Sequence, residues 1–182
     1  MINGLKKNVR GIIRGYEDAA WRSSCLLYRR LNVYNGVVQM RAIHVWWTFV
    51  KYNSGAFKRT SSVMALLCGS QPKGMGKNFS RTPRCQICTD YVIEDFEHTL
   101  FVCVNLRDIR QQLHAKLIES MPLAMHNEYV NMCNKDKLKY LLSGLSSNSY
   151  VPEWQDIYFK ASTFIYEIYR ARAAEYERLE TL

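Results

Sequence analysis

Between positions 85 and 103 the chain places Cys85 and Cys88 with two residues between them, His98 after nine more, and Cys103 after a further four. Three thiols and an imidazole within nineteen residues supply a complete tetrahedral set for Zn²⁺, and this constrains the fold more than any other feature. The Cys85-x-x-Cys88 turn lets both sulfurs reach one ion while backbone amides face it. The second pair is harder to satisfy. On an ideal α-helix five positions separate side chains by about 140°, so a continuous helix could not aim His98 and Cys103 at one metal. The spacing therefore predicts a short helical turn at His98 that ends or bends just before Cys103. Glu97 or a nearby carbonyl is available to hold the other histidine nitrogen.

Two other readings of these residues compete with this one. Free buried cysteines beside a core histidine would need no metal, but the spacing is that of a zinc knuckle. A catalytic zinc must keep one position open for water, and four protein ligands leave none. The zinc deaminase pattern is also absent, since no His-x-Glu precedes the pair and Arg84 separates Pro83 from Cys85. No nucleophile–base pair or paired carboxylates stand out elsewhere, so the chain is expected not to be an enzyme.

Around the same residues the chain resembles the CCHC zinc-binding region at the C-terminal end of non-LTR (LINE-like) retrotransposon reverse transcriptases. The resemblance rests on Cys85-x-x-Cys88, on Glu97-His98-Thr99-Leu100-Phe101-x-Cys103, and on the following Arg107 and Arg110. It continues through Leu141-Leu142-Ser143 and the closing segment from Phe164 to Arg172. The nine-residue middle spacing is longer than the family usually shows, and no Tyr-x-Asp-Asp polymerase box is present. The resemblance implies a domain that handles RNA or DNA, within a larger reverse transcriptase polyprotein or as a relic of one, in an intracellular, nuclear setting.

Charge points the same way. Residues 1–89 hold fifteen Lys or Arg against only Glu17 and Asp18, a net of +13, whereas residues 90–182 carry ten bases and fourteen acids, a net of −4. No acid occurs between Ala19 and Thr89. Such segregation fits a phosphate backbone as partner. The candidate phosphate contacts are Lys58, Arg59, Lys73, Lys77, Arg81 and Arg84, with Arg107 and Arg110 beyond the ligands. The loop from Gln71 to Pro83 is either a phosphate-contacting segment or a solvated linker. Its Gly76-Lys77 pair is no nucleotide-triphosphate loop, for it lacks the earlier glycine and is followed by Asn78. Arg107 and Arg110 either face nucleic acid or pair with acids such as Asp108 and Glu94. A protein-interaction module with a purely structural zinc, docking an acidic surface through its basic half, is the alternative function.

Apolar periodicity predicts a mostly α-helical fold built around the small structural zinc knuckle. Residues 1–78 read as a basic helical region, 79–120 as the knuckle and its following helix, and 121–182 as C-terminal helices packing on the same core. Helices are expected from Tyr16 to Leu31, Val37 to Lys51, Phe57 to Cys68, Asn105 to Ser120, Asp136 to Leu145 and Glu153 to Arg178. Leu123 to Asn134 carries no decisive pattern. Trp46, Trp47 and Phe49 present ring faces that could stack on bases, but a helix apolar nearly all round buries its aromatics. The polar run from Arg170 to Glu180 is expected to protrude or fray. Cys25, Cys68 and Cys133 lie in apolar helical patterns and are expected to be buried thiols, which implies a reducing compartment. No apolar run approaches the eighteen or so residues of a membrane helix, and none is a signal-peptide core. Oligomeric state has no sequence signal.

Overall fold

The computed structural model describes residues 45–67, 84–88, 92–145 and 151–181. The expected helix from Tyr16 to Leu31, the first part of the next one, His44, Cys25, Cys68 and the Gln71 to Pro83 loop lie outside the described residues. The architecture is helical. Among the described residues there are six α-helices: α1 (Val45–Tyr52), α2 (Phe57–Leu67), α3 (Arg107–Glu119), α4 (Leu123–Val130), α5 (Asn134–Ser143) and α6 (Gln155–Glu180). The one extended pairing among them is an isolated antiparallel bridge between Arg84 and Ile93.

The longest helix, α6, is the spine. A 3₁₀ turn at Pro152–Trp154 starts it, with Pro152 in a first-turn position where its missing N–H costs nothing. Its buried residues Ile157, Ala161, Phe164, Ile165 and Ile168 recur at helical spacing, and both α2 and α3 pack along it. Helix α1 closes one end of this core. Trp46 is fully buried there, meets Tyr158 edge-on at 5.6 Å, and donates its indole N–H to the Leu142 carbonyl at 3.1 Å. An indole can be buried at this depth because its one donor is satisfied. Phe49 packs beside the same tyrosine. Trp47, expected to be buried with its neighbours, is instead 43% exposed, because α1 turns only one side to α2 and α6.

The segment after Pro122, which carried no decisive pattern, forms α4. Met125 and Tyr129, four residues apart, are its buried contacts, too few to register as a periodic stripe. Cys133 also differs from expectation. It is exposed at the N-cap of α5, outside the helical stripe, and its thiol donates to Asp136 Oδ2 at 3.1 Å. Buried side chains from α1 through the Cys85 turn to α6 form one contiguous cluster.

Candidate metal centre

Two backbone devices bring the four ligands together. In the first, Arg84 and Ile93 form the isolated bridge, and the Cys85 N–H donates to the Val92 carbonyl at 2.8 Å. This closes the loop around Gln86 to Cys88, and the Asn105 side-chain amide ties it further by donating to the Ile87 carbonyl. In the second, Asp95 starts a helical segment as an N-cap. Its Oδ1 accepts the His98 N–H at 2.7 Å, three residues on. From His98 to Val102 the chain then makes a π-helical turn, in which the Cys103 N–H donates to the His98 carbonyl at 2.7 Å. A wider turn, closed at five residues, returns position i+5 above position i. That solves the problem posed by the His98 to Cys103 spacing. Cys103 itself leaves helical geometry at φ −49°, ψ 122°.

The four ligand atoms lie within 4.8 Å of one another, and all four residues are buried. His98 Nε2 is 3.5 Å from Cys88 Sγ. Metal bonds of about 2.3 Å to sulfur and 2.0 Å to nitrogen place the ligand atoms of a tetrahedral ion about 3.5–3.8 Å apart. The residues present therefore fit one tetrahedral ion. Their proton chemistry agrees. Without a cation, the Cys85 thiol is pushed far up, first by its hydrogen bond to Cys103 and then by burial, while Cys103 is lowered by accepting that bond. Thiols this close cannot all ionise unless a cation offsets their charge. Backbone amides also stabilise the sulfurs: that of Ile87 favours the Cys85 thiolate, and those of Asn105 and Leu106 favour Cys103.

The end of α6 holds the centre from outside. Glu94, on the loop between the ligand pairs, receives Arg172 Nε at 2.6 Å on one oxygen and the Tyr176 hydroxyl at 2.7 Å on the other. The Tyr176 oxygen in turn accepts the Gln86 N–H at 3.2 Å, within the Cys85 turn. Arg172 lies over the Tyr176 ring at 4.4 Å, and burial first of all raises the phenol to about 12. The run from Arg170 to Glu180, expected to protrude or fray, thus stays helical and buries Arg172, Ala173 and Tyr176, of which Arg172 and Tyr176 meet the ligand loop. A local pattern could not reveal this, because the partner of Arg172 is 78 residues away. Sequence reasoning missed Asp95, Glu94, Arg172 and Tyr176 as supports of the site. Of these only Asp95, an N-cap residue type three positions before His98, left a readable signal.

The candidate phosphate contacts divide. Lys58 and Arg59, in the first turn of α2, lie over the rings of Tyr166 and Phe159 on α6, at 5.6 and 4.9 Å from the centroids. Arg84 is exposed at the bridge beside Cys85, and Arg107 is exposed in the first turn of α3. Arg110 is half-buried and donates to the Cys103 carbonyl at 2.7 Å, so it positions a ligand; Glu94 is engaged by Arg172 and Tyr176. Lys73, Lys77 and Arg81 lie outside the described residues. Beside His98, an open cleft of about 510 Å³ is lined by Arg84, Val92, Ile93, Asp95, Glu97 and Val102. Among the described residues no helix is long and apolar enough to cross a membrane. No family model, curated protein or solved structure matches the chain.

Proposed function

We propose that the chain is a zinc-stabilised module that binds nucleic acid, RNA or DNA, of the kind found at the C-terminal end of non-LTR retrotransposon reverse transcriptases. One observation carries the reading: fifteen cations against two acids in residues 1–89, with a net negative second half. A chain needing only solubility would mix its charges, whereas a polyanion rewards a single-sign face. The metal is Zn²⁺, because three thiolates and one imidazole in tetrahedral array suit a closed structural zinc site. The ion serves the fold and does no chemistry, for all four of its positions are taken by the protein.

Binding should weaken steeply with salt. Replacing Lys73, Lys77, Arg81 and Arg84 by glutamine should make the slope of log K against log salt shallower by about 0.7–0.9 for each phosphate that is no longer neutralised. Replacing Lys135, Lys137 and Lys139, in the half with net negative charge, should change it much less. Equal weakening by both sets, with metal and fold intact, would relocate the binding face.

A second reading is favoured by a different observation. Val92, Ile93, Val102 and Val104 are exposed aliphatic side chains on the metal loop, and the first three line the cleft beside His98. Such a cluster suits a protein partner. If the parent chain binds no nucleic acid at low salt, the module is a protein-interaction domain with an architectural zinc.

A further inference from the structure

Exposed aromatic side chains are unevenly placed in this molecule. Among the described residues the exposed large aromatics are Trp47, Tyr52, Phe57 and Phe159, between 42% and 61% accessible, while the other exposed large apolar residues are aliphatic. Three of the four belong to the α1–α2 hairpin. The fourth, Phe159, lies near the start of α6 under the Arg59 guanidinium.

Packing among the described residues gives no reason for this. The core already takes the neighbouring rings, Trp46 beside Trp47 and Tyr158 beside Phe159, and both are fully buried. Solvent-facing helix positions are ordinarily polar, and large apolar side chains left exposed on one short hairpin mark a contact. Tyr52 and Phe57 flank the 3₁₀ turn Ser54–Ala56 that joins the two helices. Trp47 and Lys51 stand four apart on one face of α1, Tyr52 lies five positions from Trp47 and so about 140° round the helix, and the Lys51 ammonium, between the two, lies 5.6 Å from the Tyr52 ring centroid.

The charge of the hairpin itself is of one sign. Residues 45–67 contain Lys51, Lys58 and Arg59 and no Asp or Glu. Rings interleaved with cations match one ligand chemistry, a strand whose bases have free π-faces and whose backbone carries phosphates. A duplex hides those base faces in its own stack. We propose that the α1–α2 hairpin is a stacking platform for single-stranded nucleic acid, with Trp47, Tyr52 and Phe57 taking bases and Lys51, Lys58 and Arg59 the phosphates between them. This rests on the nucleic-acid reading above and gives it a place and a strand state.

The test uses the full zinc-loaded chain, a fifteen-nucleotide oligothymidylate and a duplex of equal length. Trp47 emission should be quenched by the single strand, and the assignment is checked by loss of the signal in Trp47→Phe. Trp47→Ala, Tyr52→Ala and Phe57→Ala should each weaken single-strand binding roughly 5- to 150-fold, with the salt slope unchanged because no cation is removed. Tyr52→Phe and Trp47→Phe keep a ring and should retain affinity. Leu123→Ala and Val130→Ala remove exposed apolar surface on α4 and should bind as the parent does. Metal content and circular dichroism of each variant verify the fold. If the three alanine variants bind the oligonucleotide as tightly as the parent, the platform is refuted while the nucleic-acid reading stands. The same holds if they lose affinity only for vesicles of anionic lipid. If the parent binds neither oligonucleotide at low salt, both readings fall.

Discussion

Glu94 and Arg172 show how much one side-chain pairing can carry here. Both side chains are only 3% exposed, so neither charge is solvated, and each depends on the other. Removing one partner of such a pair leaves a buried charge uncompensated, which costs about 3–5 kcal/mol. Arg172→Met should therefore lower the unfolding free energy by that amount at constant m-value, and Glu94→Gln added to it should recover part of the loss. A loss of less than about 1 kcal/mol would mean the carboxylate is held by Tyr176 alone. His114 makes a second residue-scale prediction. It sits among Phe101, Tyr129 and Phe164, and burial, followed by the Lys137 and Arg110 charges, lowers it to about 4 from its ordinary 6.5. As pH falls from about 6.5 toward 4 the unfolded chain takes up this proton before the folded one does, so stability is full above that window and lost within it. His114→Phe should flatten the fall in stability from about pH 7 to about pH 5 relative to the parent. Acid loss of the metal is common to both proteins and cancels in the difference. An unchanged slope would contradict the assignment.

At the scale of elements, the π-helical turn from His98 to Val102 was legible as a constraint before its form was known. The five-residue step between two ligands forbade a regular helix and predicted a turn that ends or bends before Cys103; the chain does leave the helix at Cys103, but it also widens the turn before it. The helix expected from Asp136 to Leu145 stops earlier, at Ser143, with Gly144 as its C-cap, an ordinary place for glycine after an apolar periodic run. Gly144 adopts φ 84°, its N–H donates to Leu141, and the Leu145 N–H donates to Tyr140, a Schellman motif. What the sequence could not disclose is that Val45 Cγ1 lies 1.9 Å from where a Cβ would stand. Gly144→Ala should cost at least about 2 kcal/mol, from left-handed strain plus overpacking against α1. A change near zero in the melting midpoint would show that α1 shifts freely. The last third of α6 was misread for the opposite reason. Helical periodicity reports apolar faces, and this stretch docks through Arg172 and Tyr176, whose target is a carboxylate on a distant loop.

On the scale of the whole molecule, one core joins the hairpin, the ligand loop and the C-terminal helix, and the three ligand cysteines are part of it. Cys85, Cys88 and Cys103 occupy positions that aliphatic residues would otherwise fill, so the cluster is both ligand set and packing. The α6 spine reaches it through Glu94 and Gln86. Metal loss should accordingly spread beyond the loop, with release of the end of α6 on chelation, because ligand geometry and folding are coupled in so short a segment. The charge division was plain from the sequence, whereas the surface that presents it depends on helix packing. The most direct test of the account is the metal content of the folded, purified chain, measured by elemental analysis on the parent, Cys88→Ser and Cys133→Ser. One zinc per chain in the parent and in Cys133→Ser, with loss in Cys88→Ser, is the predicted result. A folded parent without zinc, or a zinc that departs with Cys133 and stays without Cys88, would contradict it.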